Sequence, residues 1–206
     1  MVDDNVPNSN RRDFFRDAVR RAVAPLAEYL DRRLESPSHG HMMLRPPGAV
    51  EESRFLDTCQ RCGACVKVCP AFAIFPLDQT HGDGAGTPVI DPDKAACVVC
   101  EGLKCTHVCP SGALLPIHDE TMIRMGLAEV YEPLCDRTRG EPCTICVDRC
   151  PVGEAALRFN DYGPPEVLAS GCVGCGVCQL YCPTTPKAIV VNPLRNAEDC
   201  TAPQAV

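Results

Sequence analysis

The stretch Cys59-Gln60-Arg61-Cys62-Gly63-Ala64-Cys65-Val66-Lys67-Val68-Cys69-Pro70 determines how the rest of this chain is organised. This first run places four cysteines close together and ends on a Cys-Pro pair. Three related runs follow it: run 2 is Cys97-x2-Cys100-x4-Cys105-x3-Cys109-Pro110, run 3 is Cys135-x7-Cys143-x2-Cys146-x3-Cys150-Pro151, and run 4 is Cys172-x2-Cys175-x2-Cys178-x3-Cys182-Pro183. Cys200 is the one cysteine outside these runs.

Crowded cysteines of this kind are typical of cubane iron–sulfur ligation. A cubane has four iron corners, and each corner takes one thiolate. Three cysteines of a loop can bind three corners, while the cysteine before the proline faces away and serves a neighbouring cluster. The runs therefore predict four [4Fe–4S] clusters, each drawing three ligands from its own run and one from a partner run. Gly63, Gly174 and Gly176 are expected to bring the loops close to the clusters or to adopt positive φ.

Two other uses of the cysteines have to be weighed. A secreted disulfide scaffold is disfavoured, because the Cys-x2-Cys-x2-Cys crowding suits metal ligation better than pairing between distant strands. Zinc sites usually use two Cys-x2-Cys pairs with a longer spacer, so zinc stays an alternative mainly for runs 2 and 3. A zinc-stapled interaction module is thus a second alternative function for the whole chain.

The composition excludes several classes of protein. Twenty prolines, fifteen glycines and no tryptophan suit a large continuous core poorly, so metal ligation is expected to staple the fold. The formal net charge of −7 and the lack of a basic stripe argue against a nucleic-acid partner. No apolar run is long enough to span a membrane. The motifs for nucleotide binding or acyl transfer are also lacking, so we predict an electron carrier with no catalytic residue. His107 is read as a neighbour that tunes a cluster rather than as a ligand.

The N-terminal region, residues 1–49, reads as an amphipathic helix followed by a Pro/Gly-rich linker. Apolar residues recur every four positions from Phe14 to Leu34, with arginines on the other face. We expect residues 12–34 to cover the protein surface or to dock on a partner. The segment 10–16 resembles a twin-arginine export signal, but the uncharged apolar stretch that should follow it is missing. The expected location is therefore cytoplasmic, with periplasmic export as the alternative.

Residues 50–192 are built of repeats, and residues 193–206 read as a flexible tail. A short strand precedes several runs, and a short helix and an apolar stretch follow each Cys-Pro pair. This is the unit of a bacterial-type ferredoxin, so the predicted fold is α+β with two intertwined two-cluster modules. Apolar neighbours are expected to exclude water from the clusters: Val66, Val68, Ala73, Val98, Val99, Ile145, Val173 and Val177.

The order of the four spacings is similar to that of the four-cluster ferredoxins of the NapG/MauM type, and the resemblance covers roughly residues 44–192. Words between the cysteines also look alike: Leu44-Arg45-Pro46-Pro47-Gly48-Ala49, Arg61-Cys62-Gly63, Gly86-Thr87-Pro88, Val108-Cys109-Pro110-Ser111-Gly112-Ala113-Leu114 and Arg124-Met125-Gly126-Leu127-Ala128. The resemblance implies one-electron relay between a donor, such as a quinol dehydrogenase, and a terminal oxidoreductase. The alternative is a fixed electron-transfer subunit of a molybdenum or tungsten oxidoreductase, a dehydrogenase or a hydrogenase.

The resemblance extends to related electron-transfer subunits of molybdopterin enzymes, and these imply a nested pairing of the runs. Segment 59–70 would then pair with 172–183, and 97–110 with 135–151. The implied ligand sets are Cys59, Cys62, Cys65 and Cys182; Cys172, Cys175, Cys178 and Cys69; Cys97, Cys100, Cys105 and Cys150; and Cys135, Cys143, Cys146 and Cys109.

Overall fold

The computed structural model describes residues 44–159 and 163–194, together with Val19, Val23 and Ala24. The chain separates into two compact units, residues 1–38 and 39–206. In the first unit the three described residues are helical and exposed. The rest of the predicted amphipathic helix, the twin-arginine segment and the tail with Cys200 lie outside the described residues.

The first half of the second unit, residues 44–117, contains short elements on either side of one small sheet. They are helix α1 (Glu52–Thr58), helix α2 (Ala64–Val68), strand β1 (Ile74–Pro76), strand β2 (Pro88–Ile90) and helix α3 (Lys104–His107). β1 and β2 are antiparallel, with Ile74 opposite Ile90. A 3-10 segment, Gln79–Gly84, lies between these two strands. We call residues 44–117 the first module.

The second half, residues 123–194, repeats this pattern with two sheets. Its elements are β3 (Gly126–Val130), α4 (Ile145–Asp148), β4 (Leu157–Phe159), β5 (Pro165–Val167), α5 (Val177–Tyr181) and β6 (Ile189–Pro193). β3 pairs antiparallel with β6 and β4 with β5. Short 3-10 segments are Glu120–Met122 before this half and Glu132–Leu134, Asp136–Arg139 and Gly153–Ala155 within it. We call residues 123–194 the second module.

This mixture of short helices and small sheets confirms the α+β expectation. Among the described residues, each of the three two-stranded sheets joins strands of the same half of the chain. The halves are therefore consecutive modules as far as their sheets are concerned. In the described part of the chain, no helix has the length and apolar character needed to cross a bilayer.

The predicted linker ends earlier than the sequence analysis expected. Leu44 is buried and forms a β-bridge with Ile90, and Ala49 forms one with Leu114. Between them, the guanidinium of Arg45 is buried over the ring of Phe55, 4.6 Å from its centroid. A buried cation must be fully paired to be tolerated. The two bridges and the burial of Leu44 and Arg45 place residues 44–49 in the core of the first module.

The guanidinium of Arg45 is paired with helix α1 on one side and with the start of strand β2 on the other. Its Nε and Nη2 donate to the two carboxylate oxygens of Glu52 at 2.9 and 2.5 Å. Its Nη1 donates to Thr87 Oγ1 at 2.8 Å and to the carbonyl of Pro88 at 3.0 Å. This network ties helix α1 to the start of strand β2.

Candidate metal centres

Four cavities of the second unit are each lined by four cysteines. We name each site after the run that supplies three of them. Site 1 has Cys59, Cys62, Cys65 and Cys109; site 2 has Cys97, Cys100, Cys105 and Cys69; site 3 has Cys135, Cys143, Cys146 and Cys182; and site 4 has Cys172, Cys175, Cys178 and Cys150. All sixteen are free thiols. Every candidate ligand from the sequence analysis thus lies beside one of these cavities.

The cavities group the cysteines differently from the nested pairing that the resemblance implies. Cys109, not Cys182, completes site 1, and Cys69 lies in site 2 rather than with run 4. Likewise, Cys150 lies in site 4 rather than with run 2. The physical reason is the local connection: β1 and β2 form a hairpin that returns the chain from run 1 directly to run 2. Adjacent runs therefore exchange their last cysteines.

Short helices carry the exchanged cysteines. In the first module, Cys65 lies within α2 and points into site 1, while Cys69 follows the end of the helix and lines site 2. In the second module, α5 holds Cys178 for site 4, and Cys182 follows it in site 3. Helices α3 and α4 are followed in the same way by Cys109 and Cys150, so two helices connect the two sites of each module.

Left-handed backbone turns shape the loops of the runs. Gly63, Gly174 and Gly176 have φ of 69°, 71° and 86°, as the sequence analysis predicted. Arg61 and Val99 also have positive φ, at 54° and 49°, although side chains disfavour this conformation. Such turns direct successive N–H groups to one side of the chain and favour negative charge there. The sequence analysis missed both residues; their only signal is the position just before the second cysteine of their run.

The side chain of Arg61 forms hydrogen bonds with a neighbouring loop, and these contacts stabilise its positive-φ backbone conformation. Its guanidinium donates to the carbonyls of Asp83 at 2.7 Å, Ala85 at 2.9 Å and Cys59 at 3.3 Å. The segment between β1 and β2 is thereby held against run 1.

Site 1 is the most open site: its cavity measures about 700 Å³, against about 350 to 380 Å³ for the others, and Cys62 is exposed.

Burial makes the thiolate form unfavourable at most of the inner cysteines. It raises the pKa of Cys65 to about 11, and it raises the pKa to about 12 at Cys97, Cys105, Cys146 and Cys175. Burial also raises the pKa of Cys178. Neighbouring thiols raise these pKa values further in several of the cavities. Thiolates at these positions require a compensating positive charge, which bound iron supplies.

The cysteine before the proline receives hydrogen bonds in three of the four runs. The N–H of Ala73 donates to Cys69 Sγ at 3.3 Å, and the N–H of Leu114 donates to Cys109 Sγ at 3.4 Å. The hydroxyl of Thr184 lies 3.2 Å from Cys182 Sγ. At Cys109, burial raises the pKa, but the hydrogen bonds, led by that of Leu114, outweigh it and leave the pKa lowered. These contacts were not expected from the sequence; for the hydroxyls of Ser111 and Thr184 the signal is a hydroxyl residue two positions after the cysteine.

Some of the apolar residues predicted to exclude water from the sites are buried, and others are exposed. Ala73, Val173 and Val177 are buried, as expected for residues that exclude water. Val98 and Ile145 are instead 49% and 36% exposed, although Val98 still lines the cavity of site 2.

His107 is exposed, and its Nε2 lies 3.2 Å from the carbonyl of Ile117. Its ring also packs near that of His118, with the centroids 5.1 Å apart. The side chain therefore interacts with the segment after run 2 and is not among the residues that line site 2. The predicted tuning role of His107 gains no support from this position.

The donor sets fit a cluster well. In the described ranges, no three His, Cys, Asp or Glu side chains converge closely enough to hold a single metal ion. The four thiols of each site stand around a cavity instead, as a body with four iron corners requires. Cysteine is also the ligand that iron–sulfur clusters use.

The fold and these sites define an iron–sulfur protein of the ferredoxin type. Residues 58–113, which hold runs 1 and 2, match the family model of the 4Fe-4S dicluster domain. The chain is 35% identical to the ferredoxin-type protein NapG of Escherichia coli (strain K12), over 93% of this chain and 89% of the relative. It is 34% identical to the methylamine utilization ferredoxin-type protein MauM of Methylobacillus flagellatus, over 91% and 86%. The chain belongs to the NapG/MauM family of ferredoxin-type electron-transfer proteins.

Proposed function

We propose that this protein relays single electrons through four [4Fe–4S] clusters, one at each of sites 1 to 4. The observation that carries the proposal is the presence of four cavities with four cysteines each. When bound, such a cluster accepts and releases one electron at a potential set by its surroundings. The protein residues bind the iron through sulfur, exclude water with apolar side chains and donate hydrogen bonds to sulfur.

The ligand sets follow the adjacent pairing of the runs. Cys69 and Cys109 are exchanged between sites 1 and 2, and Cys150 and Cys182 between sites 3 and 4. The hairpin β1–β2 and the shared helices α2 and α5 support this assignment. Each module is then a two-cluster ferredoxin, and the chain is two of them in series.

The experiment that tests the four-cluster function counts iron and acid-labile sulfide in anaerobically purified protein. We expect about sixteen irons per chain, with matching sulfide. Little iron together with two to four zinc ions would instead identify a zinc-stapled interaction module.

The pairing is tested in a variant that has lost site 1, Cys59→Ala/Cys62→Ala, for which we expect about twelve irons. Adding Cys109→Ala to this background should change nothing further, because site 1 is already lost. Adding Cys182→Ala should damage site 3 and remove more iron. The reverse result would restore the nested pairing.

The family membership suggests which redox partners this chain has. We propose that a membrane quinol dehydrogenase or a subunit of an oxidoreductase exchanges electrons with this chain, and that residues 12–34 dock it. Deletion of residues 1–40 separates two cases: a free carrier keeps its turnover with the donor, whereas a fixed subunit loses its complex. Cell fractionation decides between the cytoplasmic location proposed here and periplasmic export.

A further inference from the structure

The two modules meet where the segment before run 2 lies against the loop and helix of run 4. The backbone N–H of Cys97 donates to the carbonyl of Cys175 at 2.9 Å. Cys97 belongs to site 2 and Cys175 to site 4, so this bond joins the ligand loops of two sites in different modules.

A close backbone approach supports this contact. Gly176 follows Cys175, and a Cβ added to it would stand 2.8 Å from Cβ of Pro92 and 2.9 Å from its Cγ. Separations under 3.0 Å are essentially never seen for real Cβ atoms. Glycine at this position therefore lets the first module sit directly on the run 4 loop.

A buried glutamine spans the same contact. The side chain of Gln179, in helix α5, is 4% exposed. Its Nε2 donates to Asp93 Oδ1 of the first module at 2.7 Å, and its Oε1 accepts from the N–H of Val191 in strand β6 at 2.8 Å. A buried amide satisfied on both sides fixes the geometry around it, since either bond is costly to lose.

We propose that Gln179 is a positioning residue that holds sites 2 and 4 at electron-transfer distance, so that electrons cross between the modules at Cys97 and Cys175. Helix α2 links sites 1 and 2, and helix α5 links sites 4 and 3. The order of transfer is therefore site 1, site 2, site 4, site 3, which differs from the order of the runs in sequence. This inference rests on the four-cluster function proposed above.

The step itself is a simple electron transfer. With clusters bound, one electron would pass from site 2 to site 4, or the reverse; no bond forms or breaks and no proton moves. The rate depends on the distance between the sites, because electron tunnelling declines exponentially with distance. The hydrogen bonds of Gln179 join the two modules and so hold that distance.

The test uses the full-length, cluster-loaded protein in four forms: parent, Gln179→Leu, Asp93→Ala and Asp93→Asn. Gln179→Leu removes both hydrogen bonds. Asp93 is exposed, so Asp93→Ala removes one bond with little risk to folding. Asp93→Asn keeps an oxygen that accepts from Gln179 and is the matched control.

Two measurements report on the contact between the two modules at Cys97 and Cys175, which we call the junction. One is the magnetic interaction between neighbouring reduced sites in the EPR spectrum, and the other is the rate of electron redistribution after flash reduction. In Gln179→Leu and Asp93→Ala we expect loss of the inter-module part of the magnetic interaction. We also expect the slowest redistribution rate to fall in both variants, since electron tunnelling declines exponentially with the distance between the sites. Asp93→Asn should match the parent.

Iron content separates failure of this proposal from failure of the proposed function. About sixteen irons in every form, with unchanged spectra and rates in Asp93→Ala, would overturn the junction and leave the four-cluster function standing. Far fewer irons in the parent would overturn the four-cluster function and the junction with it. If Gln179→Leu loses iron by unfolding, Asp93→Ala still decides.

Discussion

The hydroxyl of Thr184 lies 3.2 Å from Sγ of Cys182 while accepting a hydrogen bond from the N–H of Ala188 at 2.8 Å. When Cys182 is a thiolate, its sulfur has no hydrogen to donate, so the hydroxyl of Thr184 is then the donor. Ser111 repeats the arrangement more loosely, 3.5 Å from Cys109 Sγ and accepting from the N–H of Ala113 at 3.4 Å. The hydroxyl donors thus serve sites 1 and 3, which are the two ends of the proposed order.

Thr184→Val should lower the reduction potential of site 3. A hydrogen bond to sulfur stabilises the more negative, reduced state, so its loss makes reduction harder. One bond of about 0.5–1.5 kcal/mol corresponds to about 20–60 mV for one electron. Redox titration followed by EPR measures the shift. Thr121→Val, whose hydroxyl bonds only to Asp119, is the control and should leave all potentials unchanged.

Site 1 should lose its iron first when the loaded protein meets a chelator in air. It has the largest cavity, and Cys62 is exposed, so oxidant and chelator reach it with the least opening of the fold. We expect a fast phase of about four irons followed by slower loss. Iron release monitored by absorbance checks this, and the fast phase should be missing in Cys59→Ala/Cys62→Ala. A single uniform phase in the parent would contradict the prediction.

The metal-free protein should become less stable as the pH rises from 9 toward 12. The folded pKa of Cys97, Cys105 and Cys175 is raised by burial from 9.0 to about 12, so in this window the unfolded chain loses protons first. Fewer protons on the unfolded state make stability fall with pH, whereas below pH 9 these thiols contribute no slope. Urea unfolding followed by circular dichroism at several pH values measures this. The cluster-loaded protein, whose thiolates are bound to iron, is the comparison and should not follow this slope.

Arg45→Ala should destabilise the first module by about 2–4 kcal/mol, because it leaves the partly buried carboxylate of Glu52 without its partner and removes the hydrogen bonds to Thr87 Oγ1 and the carbonyl of Pro88. The urea midpoint of the loaded protein under anaerobic conditions measures the loss. Arg54→Ala, an exposed arginine of helix α1, is the matched control and should change stability by less than about 0.5 kcal/mol. Equal effects of the two substitutions would show that the Arg45 network contributes nothing specific.

Local features of the sites could be read from the sequence. The spacing of Cys59, Cys62 and Cys65 places three thiols on one loop whatever the rest of the chain does, and the glycines at 63, 174 and 176 signal the left-handed turns. The positive φ of Val99 and the exposure of Val98 could not be read, because a valine gives no sign of either. The core role of Arg45 was missed because Pro46, Pro47 and Gly48 resemble a linker in composition.

The sequence by itself determined the kind of site, its sixteen candidate ligands, the α+β class and the family. These depend on residue type and on spacing within a few positions. Only the tertiary structure decided which runs exchange Cys69, Cys109, Cys150 and Cys182, and that Cys97 meets Cys175. Runs 1 and 4 share one spacing, so the sequence alone offers no reason to prefer one partner over another. The choice depends on how the chain turns back and packs: the hairpin β1–β2 returns the chain from run 1 to run 2, and the close approach at Gly176 brings the modules together.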